Sequence, residues 1–278
     1  PVGALTAAEV RELLTQALRV ANRARGQIRR PLNSPARVTI SVVDSAGTVL
    51  GIVRSRDAPV FGIDVSLQKA RTAALLSSAG AGAAIASVPD AVYLDGGLSV
   101  LATSTPGAYV AGAQAFLDLP SAFTDGAIAF SARSTGNLAR PFYPDGVDGR
   151  DPGPFSKPFA EWSVFSTGLQ LDLAYNALIQ HVGFVLGVAA EVPQNCTGVS
   201  GFDSGFVASA PIAALANGLQ IFPGGVPVYR GGTLVGAVGV SGDGVDQDDM
   251  IAFLGVAEAA SLLSTIGNAP PSVRADTL

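Results

Sequence analysis

The sequence predicts an α+β fold in which both ends of the chain contribute to one mostly antiparallel sheet. Residues 1–88 show the patterns of a helix, a strand hairpin and a second helix, and residues 216–278 show short strands followed by a closing helix. Strands that run together, instead of alternating one by one with helices, favour an antiparallel sheet with segregated helices. We therefore interpret the two segments as halves of one core that residues 89–215 interrupt.

The first helix is predicted from a capping signal followed by an amphipathic pattern. Thr6 and Glu9 have the spacing of a capping box, in which each side chain accepts a hydrogen bond from the backbone N–H of the other residue. Apolar residues then recur at the helical period, at Val10, Leu13, Leu14, Ala17, Leu18 and Ala21.

A hairpin is predicted from about Val38 to about Arg54. Two β-branched runs lie on either side of the letters DSAG, in which Asp44 and Gly47 are turn residues. The hairpin therefore supplies the first two strands of the sheet.

A second helix is predicted after the hairpin, with Asp64 or Ser66 as its N-cap. One face of this helix carries only small side chains, at Ala70, Ala73 and Ala74. Such a face allows a neighbouring element to approach closely.

The segment from 216 onward predicts short strands separated by PGG and RGG turns, and then a helix over 246–264. Four carboxylates lie where that helix begins. Carboxylates in a first helical turn satisfy free N–H groups and interact favourably with the helix dipole, each by about 0.3–1 kcal/mol. We therefore interpret this acidic run, with a serine or aspartate just before the helix, as a helix start; it comprises Asp243, Asp246, Asp248 and Asp249.

Residues 89–215 are interpreted as a large insertion into this core. The segment is rich in proline, glycine and aromatic residues, and it contains Trp162, the single tryptophan of the chain. A helix is nevertheless predicted from about 169 to 186, so the insertion is more than a flexible linker.

Composition argues against several classes of protein. The net charge is −5 and the basic residues are scattered, so we expect no nucleic-acid binding. The longest apolar stretch, residues 73–88, is too short and too rich in serine and glycine for us to predict a membrane span. The single cysteine, Cys196, rules out an intrachain disulfide framework. We leave localisation open, with an extracytoplasmic location slightly favoured.

Two stretches of the sequence together resemble the GlcG/HbpS-like haem-binding family. The motifs that carry the resemblance are a VVD-x-x-G hairpin, an ID-x-x-x-x-KA-x-TA helix, a GG-x-P turn and a VGA-x-GVSG strand before an acidic Q-D helix start. They occur in this order at Val43, Asp44 and Gly47; at Ile63, Asp64, Lys69, Ala70, Thr72 and Ala73; at Gly224, Gly225 and Pro227; and at 235–242 with Gln247 and Asp248.

This resemblance implies a compact α+β domain with about five antiparallel strands and flanking helices. It also implies assembly into a homo-oligomer and a small-molecule ligand, with haem or a related tetrapyrrole leading. Simple members of the family have a short connection where this chain has its insertion, which leaves the oligomer geometry and the ligand pocket open.

Four residues are candidates for contact with a haem group. Lys69 and Thr72 are one helical turn apart and can hold a propionate; a solvated helix face, with Lys69 paired to Asp64 or Asp44, is the favoured alternative. His181 and Tyr229 are candidate axial ligands, although a histidine in such an apolar helix is more often a hydrogen-bonded core residue, and strand packing explains Tyr229.

Cys196 and Met250 are weaker candidates for an axial position. For a serine hydrolase, His181 would have to serve as the base for Ser241, whose surroundings lack the G-x-S-x-G spacing of a nucleophile elbow. The sequence therefore does not predict a catalytic set.

A second acidic run, PDGVDGRD, lies inside the insertion with no helix to explain it. Asp145, Asp148 and Asp151 are oxygen ligands in a flexible loop, which suits calcium. The spacing is not that of an EF-hand, and Asx-turns are the favoured alternative.

The favoured hypothesis is an oligomeric, non-catalytic protein that binds haem or a related tetrapyrrole. The first alternative is an assembly protein whose insertion mediates contacts between subunits or with a partner. The second is an enzyme that acts on a small organic acid or a cofactor.

Overall fold

The computed structural model of the chain describes residues 4–163, 166–209 and 213–275. Within these residues the α-helices are α1 Ala7–Arg23, α2 Gly62–Leu76, α3 Ala81–Ala86, α4 Pro106–Phe116, α5 Ala132–Leu138, α6 Leu169–Val185 and α7 Val245–Leu263. The strands are β1 Thr39–Asp44, β2 Val49–Arg54, β3 Ala91–Leu94, β4 Val100–Ser104, β5 Gly225–Arg230, β6 Thr233–Ser241 and β7 Gly267–Asn268. Short 3₁₀ helices lie at Phe159–Glu161, Phe202–Ser204, Ala213–Leu215 and Pro271–Val273.

The chain divides into two units. The first comprises the chain up to Ser78, the segment Gly126–Gly136 and the chain from Gln220 onward; the second comprises Ala79–Asp125 and Asn137–Leu219. These units differ from the predicted segments in three ways: residues 79–88 and 216–219 belong to the second unit, and residues 126–136 belong to the first.

The centre of the first unit is a five-stranded sheet in the order β2-β1-β6-β5-β7, with every neighbouring pair antiparallel. The fold is therefore α+β with a mostly antiparallel five-stranded sheet, as the sequence predicts. The pairing of β1 with β6 joins the two ends of the chain, with Thr39 opposite Ser241 and Asp44 opposite Gly236.

Helices cover both faces of this sheet. On one face, Ile40 and Val42 of β1 and Val238 and Val240 of β6 pack with α1 and α7 in the main core. On the other face, strand residues alternate with these and contact α2, as Val43 does. This is the period-2 burial expected of a sheet covered on both sides.

The α2 face of the sheet is built from very small side chains. A Cβ placed on Gly239 would lie 2.0 Å from the backbone oxygen of Ser66, and one placed on Gly225 would lie 2.3 Å from that of Lys69. Ala70, Ala73 and Ala74 of α2 are fully buried against this surface. The close approach predicted from the alanine face is therefore present.

Local sequence signals place the N-cap of α1 correctly but not those of α2 and α7. The capping box is formed, with Glu9 N–H donating to the Thr6 hydroxyl and Thr6 N–H donating to the Glu9 carboxylate. The start predicted for α2 is wrong: the helix begins at Gly62 with Phe61 as N-cap, and Asp64 lies inside its first turn. The N-cap of α7 is Gly244, without a side-chain capping bond, so neither a serine nor an aspartate caps that helix.

The second unit contains a two-stranded antiparallel sheet and several helices. β3 and β4 form the hairpin, with Ala91 opposite Ser104, and α6 packs on β3. The Asn176 side chain of α6 accepts from the N–H of Val92 and donates to the carbonyl oxygens of Asp90 and Val199. The helix predicted over 169–186 is thus tied to its neighbours by backbone contacts.

No helix in the described ranges has both the length and the apolar character needed to cross a membrane.

Candidate functional site

Lys69 is a buried tether between α2 and the opposite half of the core. The residue is 1% exposed, and its Nζ donates to the carbonyl oxygen of Val240 at 2.9 Å and to Asp248 Oδ2 at 3.0 Å. Burial lowers the pKa of Lys69 and raises the pKa of Asp248 to about 6, against the attraction between the two charges. The expectation of a solvated helix face paired with Asp64 or Asp44 is therefore wrong.

Thr72, one turn after Lys69, is also fully buried and its hydroxyl accepts from the N–H of Gln220 at 2.9 Å. The structure thus brings Lys69 and Thr72 to one face, as predicted, but that face is inside the core. A propionate could reach Lys69 only by displacing Asp248.

Tyr229 of β5 is 3% exposed and packs with Ala129 and Ala269. Burial raises the pKa of its hydroxyl. The ring contributes to strand packing, which was the alternative to a role as an axial ligand.

The acidic run at the start of α7 is explained by pairing within the protein. Asp243 accepts from the N–H groups of Gln27 and Ile28, and Arg133 contacts both Asp246 and Asp249. Asp248 is the partner of Lys69 and also accepts from the N–H of Asp243. Each carboxylate therefore already has a donor, and these donors are Lys69, Arg133 and N–H groups outside the helix instead of the N–H groups of its first turn, which the sequence predicted.

The acidic run in the insertion is exposed. The side chain of Asp145 accepts from the N–H of Val147, two residues on, which is the hydrogen bond of an Asx-turn. Among the residues described, no group of three or more His, Cys, Asp or Glu could hold a metal ion. The calcium hypothesis for Asp145, Asp148 and Asp151 thus has no support in the geometry.

His181 lies on α6 in the second unit and is accessible. Its side chain is 50% exposed, and Nδ1 lies 2.8 Å from Glu191 Oε1. The expectation of a buried core histidine is therefore wrong. The hydrogen bond from His181 lowers the pKa of Glu191 below its ordinary value, so the ionised form of that carboxyl is favoured further.

The chain after α6 folds back to bring Glu191 to His181. Gly187 adopts a φ of +74°, and the N–H groups of Val188 and Ala189 both donate to the carbonyl oxygen of Gly183. Gln180 Nε2 then donates to the carbonyl oxygen of Glu191 at 3.4 Å and to that of Ala190 at 3.1 Å. This turn, together with the two bonds from Gln180, therefore fixes the position of Glu191 next to His181.

The solvent-facing side of α6 is apolar, which is unusual for a helix whose other side is buried. The titratable side chains of this helix are Asp172, Tyr175 and His181, and Asp172 is buried. The exposed large apolar residues at and after its carboxyl end are Leu178, Val182, Phe184, Val185, Leu186 and Val188. We call this set, with His181, the α6 face.

A separate groove of about 370 Å³ lies between α1 and β2 in the first unit. Two arginines flank an apolar floor, but no residue of the groove is a histidine, cysteine, methionine or tyrosine. The residues that line it are Arg11, Leu14, Thr15, Leu18, Arg19, Asn22, Ile52 and Val53.

Sequence reasoning missed a buried carboxylate in the second unit. Asp172, 1% exposed, accepts hydrogen bonds from the hydroxyls of Tyr93, Ser104 and Tyr109. Burial, followed by the bond to Asp172, raises the pKa of both tyrosines, so both stay protonated. Because these hydroxyls come from separate elements, no local spacing in the sequence could have revealed the cluster.

The antiparallel sheet and its helical layers define an α+β protein, and the second unit carries an accessible histidine beside exposed apolar residues. The family model described as haem degrading protein HbpS-like matches residues 13–118 and 188–257, which is more than half of the chain. The chain belongs to the HbpS-like family. The match omits residues 119–187, which include all of α6.

No curated protein matches the chain. Among solved structures, the chain is similar to a PduOC:heme complex, with 15% identity and a TM-score of 0.39 over 96% of this chain and 99% of that chain. It is also similar to Klebsiella pneumoniae protein ORFY, with 17% identity and a TM-score of 0.42 over 95% and 94%. A double mutant of Streptomyces reticuli HbpS shows 15% identity and a TM-score of 0.36 over 94% and 87%.

Proposed function

We propose that this protein binds haem or a related tetrapyrrole. The observation that carries the proposal is membership of the HbpS-like family over both halves of the sheet-forming core. A haem ligand requires apolar surface for the macrocycle and, in most proteins, one axial side chain for the iron.

The residues present are compatible with such a ligand. Of the four axial candidates, His181 and Cys196 are exposed and Met250 is 38% exposed, whereas Tyr229 is buried. Haem, when bound, would supply the iron; the chain would supply an axial atom and an apolar surface.

A hemin titration followed in the Soret region tests this function. We expect saturable binding with a shifted Soret band, and Tyr229→Phe should bind hemin as the wild type does because that hydroxyl is buried. A titration that yields only the spectrum of free or aggregated hemin would remove the proposal.

The matching family is described as haem degrading, which favours haem degradation as a second candidate function. Incubating the hemin-loaded protein with ascorbate in air separates binding from degradation. Stable absorbance supports a binding protein, whereas loss of the Soret band that heat-unfolded protein does not reproduce supports degradation.

We further propose that the protein assembles as a homo-oligomer. The strand at one edge of the five-stranded sheet, β2, carries exposed apolar residues at Val49, Leu50 and Ile52, and such an edge is a ready surface for pairing. Light scattering coupled to size exclusion should report a multiple of the 28.0 kDa chain mass, and Leu50→Lys should lower it. A monomeric wild type would refute this.

A further inference from the structure

We propose that the α6 face is the haem site and that His181 Nε2 is the axial ligand of the iron. This inference rests on the haem-binding function proposed above. It places the axial histidine and most of the α6 face in residues that the family model does not match, whereas Val188 and Glu191 lie in matched residues.

The first argument is the tautomer that the geometry favours. Nδ1 lies 2.8 Å from the Glu191 carboxylate, and because an ionised carboxylate only accepts hydrogen bonds, Nδ1 is the donor and Nε2 is the ring nitrogen left to meet a ligand. A carboxylate that accepts from the remote nitrogen is the usual partner of a metal-bound histidine, since it orients the ring and raises its basicity.

The second argument is that Glu191 is itself positioned before any ligand arrives. Its backbone oxygen accepts from Gln180, and its Oε1 also accepts from the N–H of Val192 at 2.9 Å. Gln180 is buried and lies one residue before His181, so the helix and the returning chain hold both partners of the pair. His181 and Glu191 are therefore held in place before haem binds, as a binding site requires.

The third argument is the surface that surrounds the histidine. Leu178 and Val185 lie three and four residues from His181 and share its side of the helix. Val182, the residue after His181, extends the same apolar surface, because it lies four residues from Leu178 and three from Val185. Val185, Leu186 and Val188 are 69%, 70% and 78% exposed. A planar apolar ring system would cover this surface, and the ring of Phe184, 6.1 Å from the His181 ring, borders it.

The choice of His181 over the other accessible candidates follows from the same contacts. Met250 lies beside the paired carboxylates at the start of α7, and Phe253 and Leu254, one turn on, give it an exposed apolar surround. Its thioether has no second ring nitrogen through which a carboxylate could orient it, as Glu191 orients His181. His181 is the single histidine of the chain, so its removal abolishes imidazole ligation altogether.

The test compares hemin with metal-free protoporphyrin IX. His181→Ala should lower hemin affinity by at least about 100-fold and move the Soret band, and Glu191→Ala should lower it by about 10-fold. Binding of metal-free protoporphyrin should be unchanged in both variants, because that ring has no iron to ligate. Val182→Ser with Val185→Ser should weaken binding of both compounds.

The controls are Cys196→Ser and Met250→Leu, which should leave the hemin spectrum unchanged. A direct readout is the ¹⁵N signal of His181 Nε2, assigned without ambiguity because the chain has one histidine; it should shift when gallium protoporphyrin binds.

Four outcomes would overturn the inference. If the wild type binds hemin and His181→Ala gives the same affinity and spectrum, the assignment of the haem site is wrong but the haem-binding function is retained. If the wild type binds no hemin, both the function and the site are refuted. Equal loss of metal-free protoporphyrin binding in His181→Ala would mean a structural role for the histidine. A wild-type oligomer that Val182→Ser with Val185→Ser dissociates would mean that a second copy of the chain covers the α6 face.

Discussion

At the scale of single residues, the buried charges of the first unit act as tethers between segments far apart in the chain. Lys69 of α2 bonds to Val240 of β6 and to Asp248 of α7. Glu9 of α1 bonds to Arg230 and Thr265. A buried charge stabilises only while its partner is present, because desolvation costs several kcal/mol per ion. Variants at these positions therefore report on the fold rather than on a ligand.

Lys69→Met should destabilise the protein by about 3–5 kcal/mol, because Asp248 would remain buried without a counter-charge. Combining it with Asp248→Asn should recover much of the loss. Urea unfolding of the wild type, both single variants and the double variant measures this. A double variant no more stable than Lys69→Met would contradict the pairing.

Glu9→Gln should lower stability by about 1.5–3 kcal/mol at pH 7, since the bonds to Arg230 are charge-assisted. The hydrogen bond from Arg230 lowers the pKa of Glu9 to about 2 against desolvation, below its ordinary 4.5. The carboxylate thus stabilises the fold above pH 4.5, and this contribution is lost as the pH falls towards 2.

The free energy of unfolding of Glu9→Gln should therefore approach that of the wild type as the pH falls from 4.5 towards 2. Unfolding curves recorded from pH 7 downward measure this. Glu258→Gln is the matched control: its pair with Arg23 is exposed, so we expect a change below about 1 kcal/mol. A Glu9→Gln difference that stays constant with pH would be inconsistent with this assignment.

At the scale of elements, the close contact of α2 with the sheet depends on glycine. Gly239→Ala should destabilise the protein by about 1–3 kcal/mol or more, because the added Cβ would overlap the backbone of Ser66 and Ala70. Gly232→Ala, in the β5–β6 turn with no atom within 4 Å, should change stability by less than about 0.5 kcal/mol. Thermal melting of the two variants makes the comparison, and equal effects would refute the packing argument.

Elements were predictable from the sequence where their signals are local. The α1 capping box, the β1–β2 hairpin and α6 follow from spacings within a few residues, and the structure contains all three. The start of α2 was not predictable in this way, because Phe61 offers no side-chain capping bond.

The candidate site was less predictable because its contacts are long-range. The partner of Lys69 lies 179 residues away, and the carboxylate beside His181 reaches it only through a glycine turn. The apolar residues around His181 led to the prediction that it is buried. A helical pattern of apolar residues does not show which side of the helix packs against the protein.

At the scale of the whole molecule, protection of amides from exchange should follow burial. Amides of β1 and β6, which lie inside the five-stranded sheet and whose apolar residues are buried, should exchange with deuterium more slowly than those of β4, whose residues are mostly exposed. Mass spectrometry of exchanged peptides measures this. Faster exchange in β6 than in β4 would contradict the assignment of the core.

The pairing of β1 with β6 also fixes an order of events during synthesis. Strand β1 ends at Asp44, but its neighbour β6 is not complete until Ser241 has been made. After the first helix and hairpin have been synthesised, nearly two hundred further residues must be added before β6 can pair with β1 and complete the sheet. The second unit, whose segments lie between these strands, can complete its own contacts during that time, and its folding shortens the loop that closure must span.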